Sequence, residues 1–381
     1  MRTVHVCLCG PYSDGFAYQE NELVAQHVAM GHEVSVLATT ETYGADRKLM
    51  HMAAGETGTK DGARLIRLPY RQGAPRSVMG KLRMHPDVFE WLEKLAPDVI
   101  LFHGLCSWEL LTVARYKRQH PATLLYADCH EDFNNSARTW SSKWLLHFAY
   151  YRSVLKRCLP WIDKVLCVTV ESISFARDFY GVDPALLELY PLGGEVMDDE
   201  TYKAKRIAMR RQLRVDDSSI VFVQSGKLDV SKQLPQALRA FASVVDSRLR
   251  YVIAGQMTPD VLAEGQPLID ADARVCYLGW VKPDALRDLL CAADCYVQPF
   301  GQTATTQMSL CCRCAIIVQD LPSHRALFFD NGFLTNEKQR LAVAFQYMVD
   351  HADRLEAMRA ASGEFARVNL DYRMLAQRVC S

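Results

Sequence analysis

The feature of the sequence that most constrains its fold is an alternation of short apolar runs with helical patterns, repeated in two consecutive series. The strand-like runs of the first series are 3–8, 33–38, 65–68, 98–102, 123–127 and 165–168. Those of the second series are 220–224, 251–254, 275–278, 295–298 and 315–318. Alternating strands and helices form parallel sheets covered by helices on both faces. The sequence therefore predicts an α/β protein with two Rossmann-like domains that face each other across a cleft.

The length of the chain supports two domains. It has 381 residues, whereas a single hydrophobic core stops growing at about 250–300 residues. A polar, charged stretch at 198–214 separates the two series. We expect the first domain to span residues 1–196 and the second to span residues 197–360.

Composition and charge exclude several classes of protein. Lysine plus arginine and aspartate plus glutamate each number 44, and zero net charge argues against a nucleic-acid-binding protein. No apolar stretch approaches the ~18 residues of a membrane span, and the apolar run at the N-terminus is too short for a signal peptide. The thirteen cysteines, an odd number, are scattered through strand and helix patterns, unlike a disulfide framework. These features predict a cytoplasmic protein.

Glycines and polar residues follow the strands of the first series, where doubly wound sheets bind ligands. Gly15 lies in the loop after the first strand, as a ligand contact or as part of a plain turn. The glycine spacing there does not fit the nicotinamide-binding pattern GxGxxG. His103 ends another strand and either points into the cleft or serves the structure alone.

The next strand ends in an acidic segment that contains His130. Its three carboxylates, Asp128, Glu131 and Asp132, can act with the histidine as acid and base, hold a metal ion, or cap a helix. We expect no metal at this segment. We also expect none at Cys311, Cys312 and Cys314, because the C-x-x-C spacing of zinc sites is missing.

The second series carries two candidate anion-binding segments. Gly226, Lys227 and Lys232 follow a strand and precede a helix, which predicts a diphosphate clamp, with a solvated turn as the alternative. The segment is not a Walker A loop. Further along, Gly301, Gln302 and Thr303 precede a helix and offer hydroxyls and amides to an anion.

Together these segments resemble the family-four glycosyltransferases, retaining enzymes of GT-B fold, over nearly the whole chain. The resemblance rests on a glycine loop, a Gly-His-x-Val turn, a Pro-Asp-Val-Ile-x-x-His strand end, an interdomain proline–glycine turn and a Gly-Lys-Leu-x-x-x-Lys segment. These lie at 15–21, 31–34, 97–103, 190–194 and 226–232. The resemblance implies an acceptor-side first domain, a nucleotide-sugar-binding second domain, and a C-terminal helix, 361–381, that packs back on the first domain.

The resemblance also assigns roles to single residues. It implies that His103, Lys227 and Lys232 are catalytic, with His103 near the donor sugar and the lysines on the donor diphosphate. The donor-binding residues it implies are Gly15, Gly226, Gly255, Gly301, Gln302, Thr303 and Gln307. The acceptor-side residues it implies are Tyr18, Gln19, Glu20 and His130.

The sequence departs from the family in its signature segment. The family has two glutamates eight residues apart, whereas this chain has Pro299 and Gln307 at those positions. The amide of Gln307 can still hydrogen-bond the hydroxyls of a ribose. The family's arginine in the diphosphate segment is replaced by Lys227, which lacks the bidentate fork of a guanidinium.

The function implied is retaining, metal-independent transfer of a sugar from a nucleotide sugar to a saccharide, lipid-linked saccharide or small-molecule acceptor, as in polysaccharide biosynthesis. The nucleotide sugar is a substrate, and no cofactor is expected. Two alternatives are a nucleotide-sugar epimerase of GT-B fold and a non-catalytic glycosyltransferase-like subunit.

A basic and aromatic segment, 140–157, has apolar residues at helical spacing. Its apolar face either packs on the sheet of the first domain or rests on an anionic membrane surface. The second interpretation places the protein peripherally at the inner membrane face, where it would meet a lipid-linked acceptor.

Overall fold

The computed structural model describes residues 1–44 and 48–380, and the chain divides into two compact units. The first unit comprises Met1–Pro191 together with the C-terminal residues from Leu375 onward. The second unit comprises Leu192–Met374. The polypeptide therefore leaves the first unit after Pro191 and returns to it at Leu375.

The first unit is built on an eight-stranded sheet with the strand order β10-β9-β8-β7-β1-β2-β6-β5. Neighbouring strands are parallel except for β5, which pairs antiparallel with β6, and β3 and β4 form a separate antiparallel pair. The strands are β1 (Arg2–Cys7), β2 (Glu33–Thr39), β3 (Glu41–Tyr43), β4 (Leu49–His51), β5 (Gly55–Gly58), β6 (Arg64–Leu68), β7 (Val99–Phe102), β8 (Leu124–Cys129), β9 (Lys164–Cys167) and β10 (Leu187–Leu189).

Helices pack on this sheet. They are α1 (Gln19–Ala29), α2 (Arg76–Leu82), α3 (Val88–Leu95), α4 (Glu109–Gln119), α5 (Arg152–Cys158) and α6 (Val170–Ser174), with α15 (Tyr372–Arg378) from the end of the chain. Two π-helical segments, Ser142–Tyr151 and Phe175–Tyr180, adjoin α5 and α6. All four residues of β7 are buried, as expected of a central parallel strand that is covered on both faces.

The second unit is built on a six-stranded, fully parallel sheet with the strand order β13-β12-β11-β14-β15-β16. Its strands are β11 (Ile220–Leu228), β12 (Leu249–Met257), β13 (Val275–Tyr277), β14 (Cys295–Gln298), β15 (Ala315–Gln319) and β16 (Gly332–Thr335). Its helices are α7 (Asp199–Gln212), α8 (Leu234–Ala242), α9 (Pro259–Ala271), α10 (Pro283–Ala292), α11 (Thr305–Cys311), α12 (Pro322–Arg325), α13 (Lys338–Asp350) and α14 (Ala352–Asn369).

The charged stretch that separates the two series in the sequence is a helix of the second unit. The Asp198 carboxylate caps α7 by accepting the backbone N–H of Thr201 at 2.8 Å. Arg206 and Arg210 of α7 reach Asp294, at the start of β14, with nitrogen–oxygen distances of 2.5 and 3.2 Å. Ion pairs therefore anchor this helix as well as apolar contacts, which is why its sequence is so polar.

Among the described residues, no helix is both long and apolar enough to cross a membrane. All thirteen cysteines are free thiols. Cys311, Cys312 and Cys314 lie close together in the sequence but have separate partners. The Sγ atoms of Cys312 and Cys314 face the carbonyl oxygens of Arg287 and Leu290. The Sγ atom of Cys311 lies against Gly194.

Candidate active site

A cavity of about 240 Å³ opens in the first unit where β1, β7 and β8 end. Carboxyl ends of parallel strands are where doubly wound sheets bind ligands. Residues from three strand-end loops, from α1 and from the segment after α2 line the cavity. They are Cys7, Cys9, Gly10, Pro11, Glu20, Arg83, His103, Gly104, Asp128, His130 and Glu131.

Asp128 contacts three other residues that line this cavity. Its Oδ2 accepts a hydrogen bond from His103 Nδ1 at 2.6 Å, and its Oδ1 accepts the Gly104 backbone N–H at 2.7 Å. The Nε2 atom of His130 lies 3.5 Å from the same Oδ1. Burial raises the pKa of Asp128, but the two imidazoles outweigh it and hold the pKa well below its usual range. Asp128 is therefore a buried carboxylate anion.

Gly104 allows this close packing. Its φ is +100°, and a Cβ placed on it would lie 2.8 Å from the Sγ of Cys9. A side chain here would displace the loop that presents its N–H to Asp128. Glycine can adopt this positive φ without strain, and it leaves room for the side chain of Cys9.

The two histidines of the cavity differ in exposure and in hydrogen-bond partners. Both ring nitrogens of His103 have buried partners, Asp128 at Nδ1 and His5 at Nε2. The His130 side chain is 41% exposed, and only its Nε2 faces Asp128. Burial opposes the charged form of His130, but Asp128 outweighs burial and raises the pKa of His130 to about 9. His130 is therefore positively charged, and it is the more exposed of the two histidines.

The other residues predicted for the first domain lie around α1. Glu20 lines the cavity, whereas its lining does not include Gly15, Tyr18 or Gln19. Gly15 occupies a turn with φ of +75°. Tyr18 precedes the first residue of α1 and is exposed, and Gln19 donates its Nε2 to the carbonyl of Pro191 at 3.3 Å.

The acidic residues after β8 differ in position and in hydrogen-bond partners. Glu131 lines the cavity beside Asp128 and His130. Asp132 instead accepts the backbone N–H groups of Asn134 and Asn135 at 2.6 and 2.9 Å. Asp132 therefore stabilises the turn that follows it and does not cap a helix, because residues 133–137 form turns and bends.

Arg83 is a cavity residue that the sequence analysis missed. It ends α2 in a left-handed conformation, with φ of +54°, and its Nη1 donates to the carbonyl of Cys106 at 2.6 Å. A second cavity of about 220 Å³ shares Arg83 and Glu131 with the first and continues to Arg138 and Ser142. No motif marks Arg83, because it follows a helix and not a strand.

The residues predicted to clamp a diphosphate gather at the carboxyl end of the sheet in the second unit. Lys232 donates its Nζ to the carbonyl of Gln302 at 2.7 Å. A Cβ on Gly301 would lie 2.8 Å from that Nζ, and one on Gly226 would lie 3.9 Å from Thr303 Oγ1. The structure therefore brings Gly226, Lys232 and the 301–303 loop together, while Lys227 is exposed at the end of β11.

Gly255 fixes the spacing of the adjacent strand. It pairs with Gly226 across β11 and β12, and a Cβ on it would lie 1.9 Å from the carbonyl oxygen of Gly226. Only glycine fits where two strands approach this closely. Burial lowers the pKa of Lys232, which Asp229 partly offsets.

Several buried polar atoms at this end of the sheet have no hydrogen-bond partner in the described part of the chain. They include Ser225 Oγ, Gln298 Oε1, Thr306 Oγ1 and Gln307 Oε1. An unsatisfied buried polar atom costs about 1–3 kcal/mol, so each of these atoms calls for a partner such as a water molecule, an ion or a ligand. Gln307 lies in the first turn of α11 with its side chain buried.

Comparisons with known proteins identify a family for each of two long parts of the chain. Residues 15–193 match the family described as "Glycosyl transferase 4-like domain", and residues 219–351 match "Glycosyl transferases group 1". No curated protein matches the sequence.

Solved structures with the same fold cover the whole chain. HepE (Alr3699) of Anabaena, in complex with UDP, aligns with a TM-score of 0.69 at 14% identity, covering 100% of this chain and 98% of that one. Sucrose-phosphate synthase of Thermosynechococcus elongatus aligns with 0.68 at 15% identity and the same coverage. WaaG, a glycosyltransferase involved in lipopolysaccharide biosynthesis, aligns with 0.64 at 14% identity, covering 99% and 98%.

Two Rossmann-like units with this topology define the chain as a GT-B-fold protein, as the sequence predicts. The two family matches together cover most of the chain. The chain belongs to the glycosyltransferases that combine a type-4-like first domain with a group 1 second domain.

Proposed function

We propose that this glycosyltransferase binds a nucleoside diphosphate sugar through its second unit and transfers the sugar with retention and without a metal ion. The observation that carries the proposal is the position of Lys232, whose Nζ is held 2.7 Å from the carbonyl of Gln302 beside Gly301. A fixed ammonium group there can neutralise the diphosphate as it departs. Lys227, exposed nearby, adds a second positive charge.

The nucleoside end of the donor fits the unsatisfied atoms of the second unit. The Oε1 of Gln307 is buried without a partner, and we propose that it accepts a hydrogen bond from a ribose hydroxyl. HepE has been solved with UDP and with UDP-glucose. A uridine diphosphate sugar is therefore the first donor to test on this chain.

The polar groups of the first unit fit the sugar and the acceptor. We assign His103 and Asp128 to the donor sugar, and His130, with Glu20, to the acceptor side. The two cavities that share Arg83 and Glu131 extend from these residues toward Arg138 and Ser142. A polar, charged channel of this kind suits a saccharide or a phosphorylated acceptor head group.

The surface beside this channel supports a lipid-linked acceptor. In the segment 140–157, Val154 and Leu155 are buried, whereas Trp140, Trp144 and Leu145 are 70%, 41% and 59% exposed. Leu146, His147 and the apolar residues from Tyr150 onward pack into the core of the first unit, whereas the two tryptophans and Leu145 stay exposed and are available to a membrane surface. Tryptophan beside basic residues is typical of surfaces that rest on anionic lipid.

Product analysis separates the proposed transferase from its alternatives. The protein is incubated with UDP-sugars, with and without saccharide and lipid-linked acceptors, and UDP and sugar products are quantified. Transfer with retained anomeric configuration, undiminished by a chelator, supports the proposal. Free epimerised sugar released without acceptor would indicate an epimerase. Donor binding without turnover across the panel would indicate a non-catalytic subunit.

A further inference from the structure

Three buried histidines form a hydrogen-bonded row in the first unit. His103 Nε2 lies 3.0 Å from His5 Nδ1, and His5 Nε2 lies 2.9 Å from His27 Nδ1. The row ends at two oxygen atoms. Asp128 Oδ2 lies 2.6 Å from His103 Nδ1, and the backbone oxygen of Ala376 lies 3.1 Å from His27 Nε2. The row therefore runs from the cavity to the returning C-terminal segment.

Four hydrogen bonds along the row require four protons. A carboxylate and a carbonyl only accept, so every contact needs an N–H from a histidine. Each neutral imidazole carries one N–H, and three neutral rings supply three protons. One contact would then bring two lone pairs together in the buried interior, which is unfavourable. A fourth proton completes the row and gives it one positive charge.

The extra proton belongs at the cavity end of the row. Burial, with the neighbouring His27 and His103, lowers the pKa of His5 well below its usual range. Burial likewise lowers the pKa of His27 to about 4. The cavity end is where the row meets a carboxylate, whereas the far end meets a backbone carbonyl. The contact between His103 and Asp128, 2.6 Å, is also the shortest of the four.

We propose that His5 and His27 are positioning residues that hold His103 as an imidazolium on Asp128. The row fixes the ring orientation of His103 and stores one proton beside the cavity. Three carboxylates line the cavity: Asp128, Glu20 and Glu131. Arg83, the charged His130 and the stored proton balance them, so an anionic donor meets no net negative charge. This last consequence rests on the proposed function, whereas the proton count does not.

Other titratable groups adjoin both ends of the row. Asp128, with His130 and Glu131 beyond it, faces the cavity end. The far end faces His32, whose ring stacks on His27 at 5.6 Å, and the N-terminal amine lies beyond His32.

The thiol of Cys380 offers an alternative proton donor at the far end. Its Sγ lies 3.4 Å from His27 Nε2. If this thiol donated to His27, three neutral rings would suffice and the Ala376 oxygen would face a lone pair. The Ala376 carbonyl can only accept, whereas a thiol sulfur can donate or accept. An N–H on His27 Nε2 therefore satisfies the carbonyl and is compatible with the thiol, whereas donation from the thiol leaves the carbonyl unsatisfied.

Nuclear magnetic resonance of the full chain labelled with ¹⁵N-histidine tests the count, with signals assigned by single histidine substitutions. At pH 7.5 the row should show one ring with both nitrogens protonated and two neutral rings, unchanged in Cys380→Ala. In His27→Phe the row keeps two contacts, Asp128–His103 and His103–His5. Two neutral rings supply the two protons that these contacts need, so the imidazolium should disappear. His27→Gln still donates to Ala376 and accepts from His5, so the imidazolium should remain.

Three neutral rings in the wild-type protein, or an imidazolium on His103 that survives in His27→Phe, would overturn the proposal. If His27→Phe fails to fold, the wild-type and His27→Gln spectra still decide. Turnover provides the second readout. In His27→Phe the alkaline limb of donor turnover should move to lower pH by about 1–2 units, the equivalent of one hydrogen bond to a charged group. Cys380→Ala should leave that limb in place. The spectra need no turnover, so they separate failure of the proton count from failure of the proposed function.

Discussion

Gly301 makes room for Lys232: a Cβ on residue 301 would lie 2.8 Å from the lysine Nζ, which donates to the carbonyl of Gln302. A side chain at this position would push the ammonium group out of the loop that we propose binds the donor diphosphate. The relation between these two residues therefore predicts a substitution that damages binding more than folding.

Gly301→Ala should weaken UDP binding about tenfold or more, the cost of displacing a charge-assisted contact. Gly279→Ala is the matched control, because both glycines have φ near +70° but nothing lies within 4 Å of a Cβ on Gly279. Both variants should lose about 1–2 kcal/mol of stability from the left-handed backbone. Equal UDP affinities in the two variants, measured by calorimetry, would remove Lys232 from the clamp.

Asp294 anchors α7 to the sheet of the second unit. Its carboxylate accepts the Val221 N–H at 2.8 Å and contacts Arg206 and Arg210. Asp294→Ala leaves two arginines without their buried partner and should cost about 3–5 kcal/mol, visible as a lower thermal midpoint. Glu264→Ala breaks the half-exposed pair with Arg239 and should cost less than about 1 kcal/mol. Similar midpoints for the two variants would contradict the anchoring role.

His130 should make the stability of the protein depend on pH. Its pKa rises from about 6.5 in the unfolded chain to about 9 in the folded protein. The stabilisation is therefore fully present below pH 6.5 and is lost as the pH rises through 9. Because the ring is partly exposed and solvent screens its attraction to Asp128, we expect a loss of about 1 kcal/mol, less than the roughly 3 kcal/mol to which the whole shift would correspond.

Urea unfolding of the wild-type protein and of His130→Gln, followed between pH 6 and 10, measures this difference. The variant should lack the part of the alkaline decline that His130 contributes. Parallel curves for the two proteins would show that Asp128 does not hold a charged His130.

The exposed tryptophans of the segment 140–157, Trp140 and Trp144, predict binding to anionic vesicles at low salt. Lys143 lies over the ring of Trp144, with its Nζ 5.4 Å from the ring centroid, so a basic group accompanies the exposed aromatic side chains. Cosedimentation should fall about tenfold or more in the double variant Trp140→Ser and Trp144→Ser, and at high salt.

Trp280→Ser is the control for that experiment, since Trp280 is also exposed but lies in the second unit. It should bind vesicles like the wild-type protein. Absence of vesicle binding by the wild-type protein at low salt would favour a water-soluble acceptor.

The two-domain α/β fold could be predicted because parallel strands leave continuous apolar runs, such as Val99–Phe102, between helical patterns. Residues in the loops after strands, such as His103 and Lys232, can be identified for the same reason, since the end of an apolar run marks the edge of the sheet. Their proposed roles in catalysis stay predictions.

Other features could not be predicted because only tertiary contacts reveal them. His5 and His27 occupy interior positions of β1 and α1, where the sequence shows two isolated histidines and not a row. Arg83 lines the cavity from the end of α2, where its own backbone is left-handed. The sequence of helix α7 indicates only a charged boundary, because its partner, Asp294, lies far along the chain. Each case depends on a contact between distant segments that no local pattern records.

Calorimetric titration of UDP into the wild-type protein and into Lys232→Ala tests the central claim most directly. We expect the wild-type protein to bind UDP, and the variant to bind about 30-fold or more weakly, because a charge-assisted contact to a partly buried anion is lost. Lys227→Arg should bind at least as tightly as the wild-type protein, since a guanidinium can grip the diphosphate with two hydrogen bonds. Equal affinities of the wild-type protein and Lys232→Ala for UDP would contradict the account.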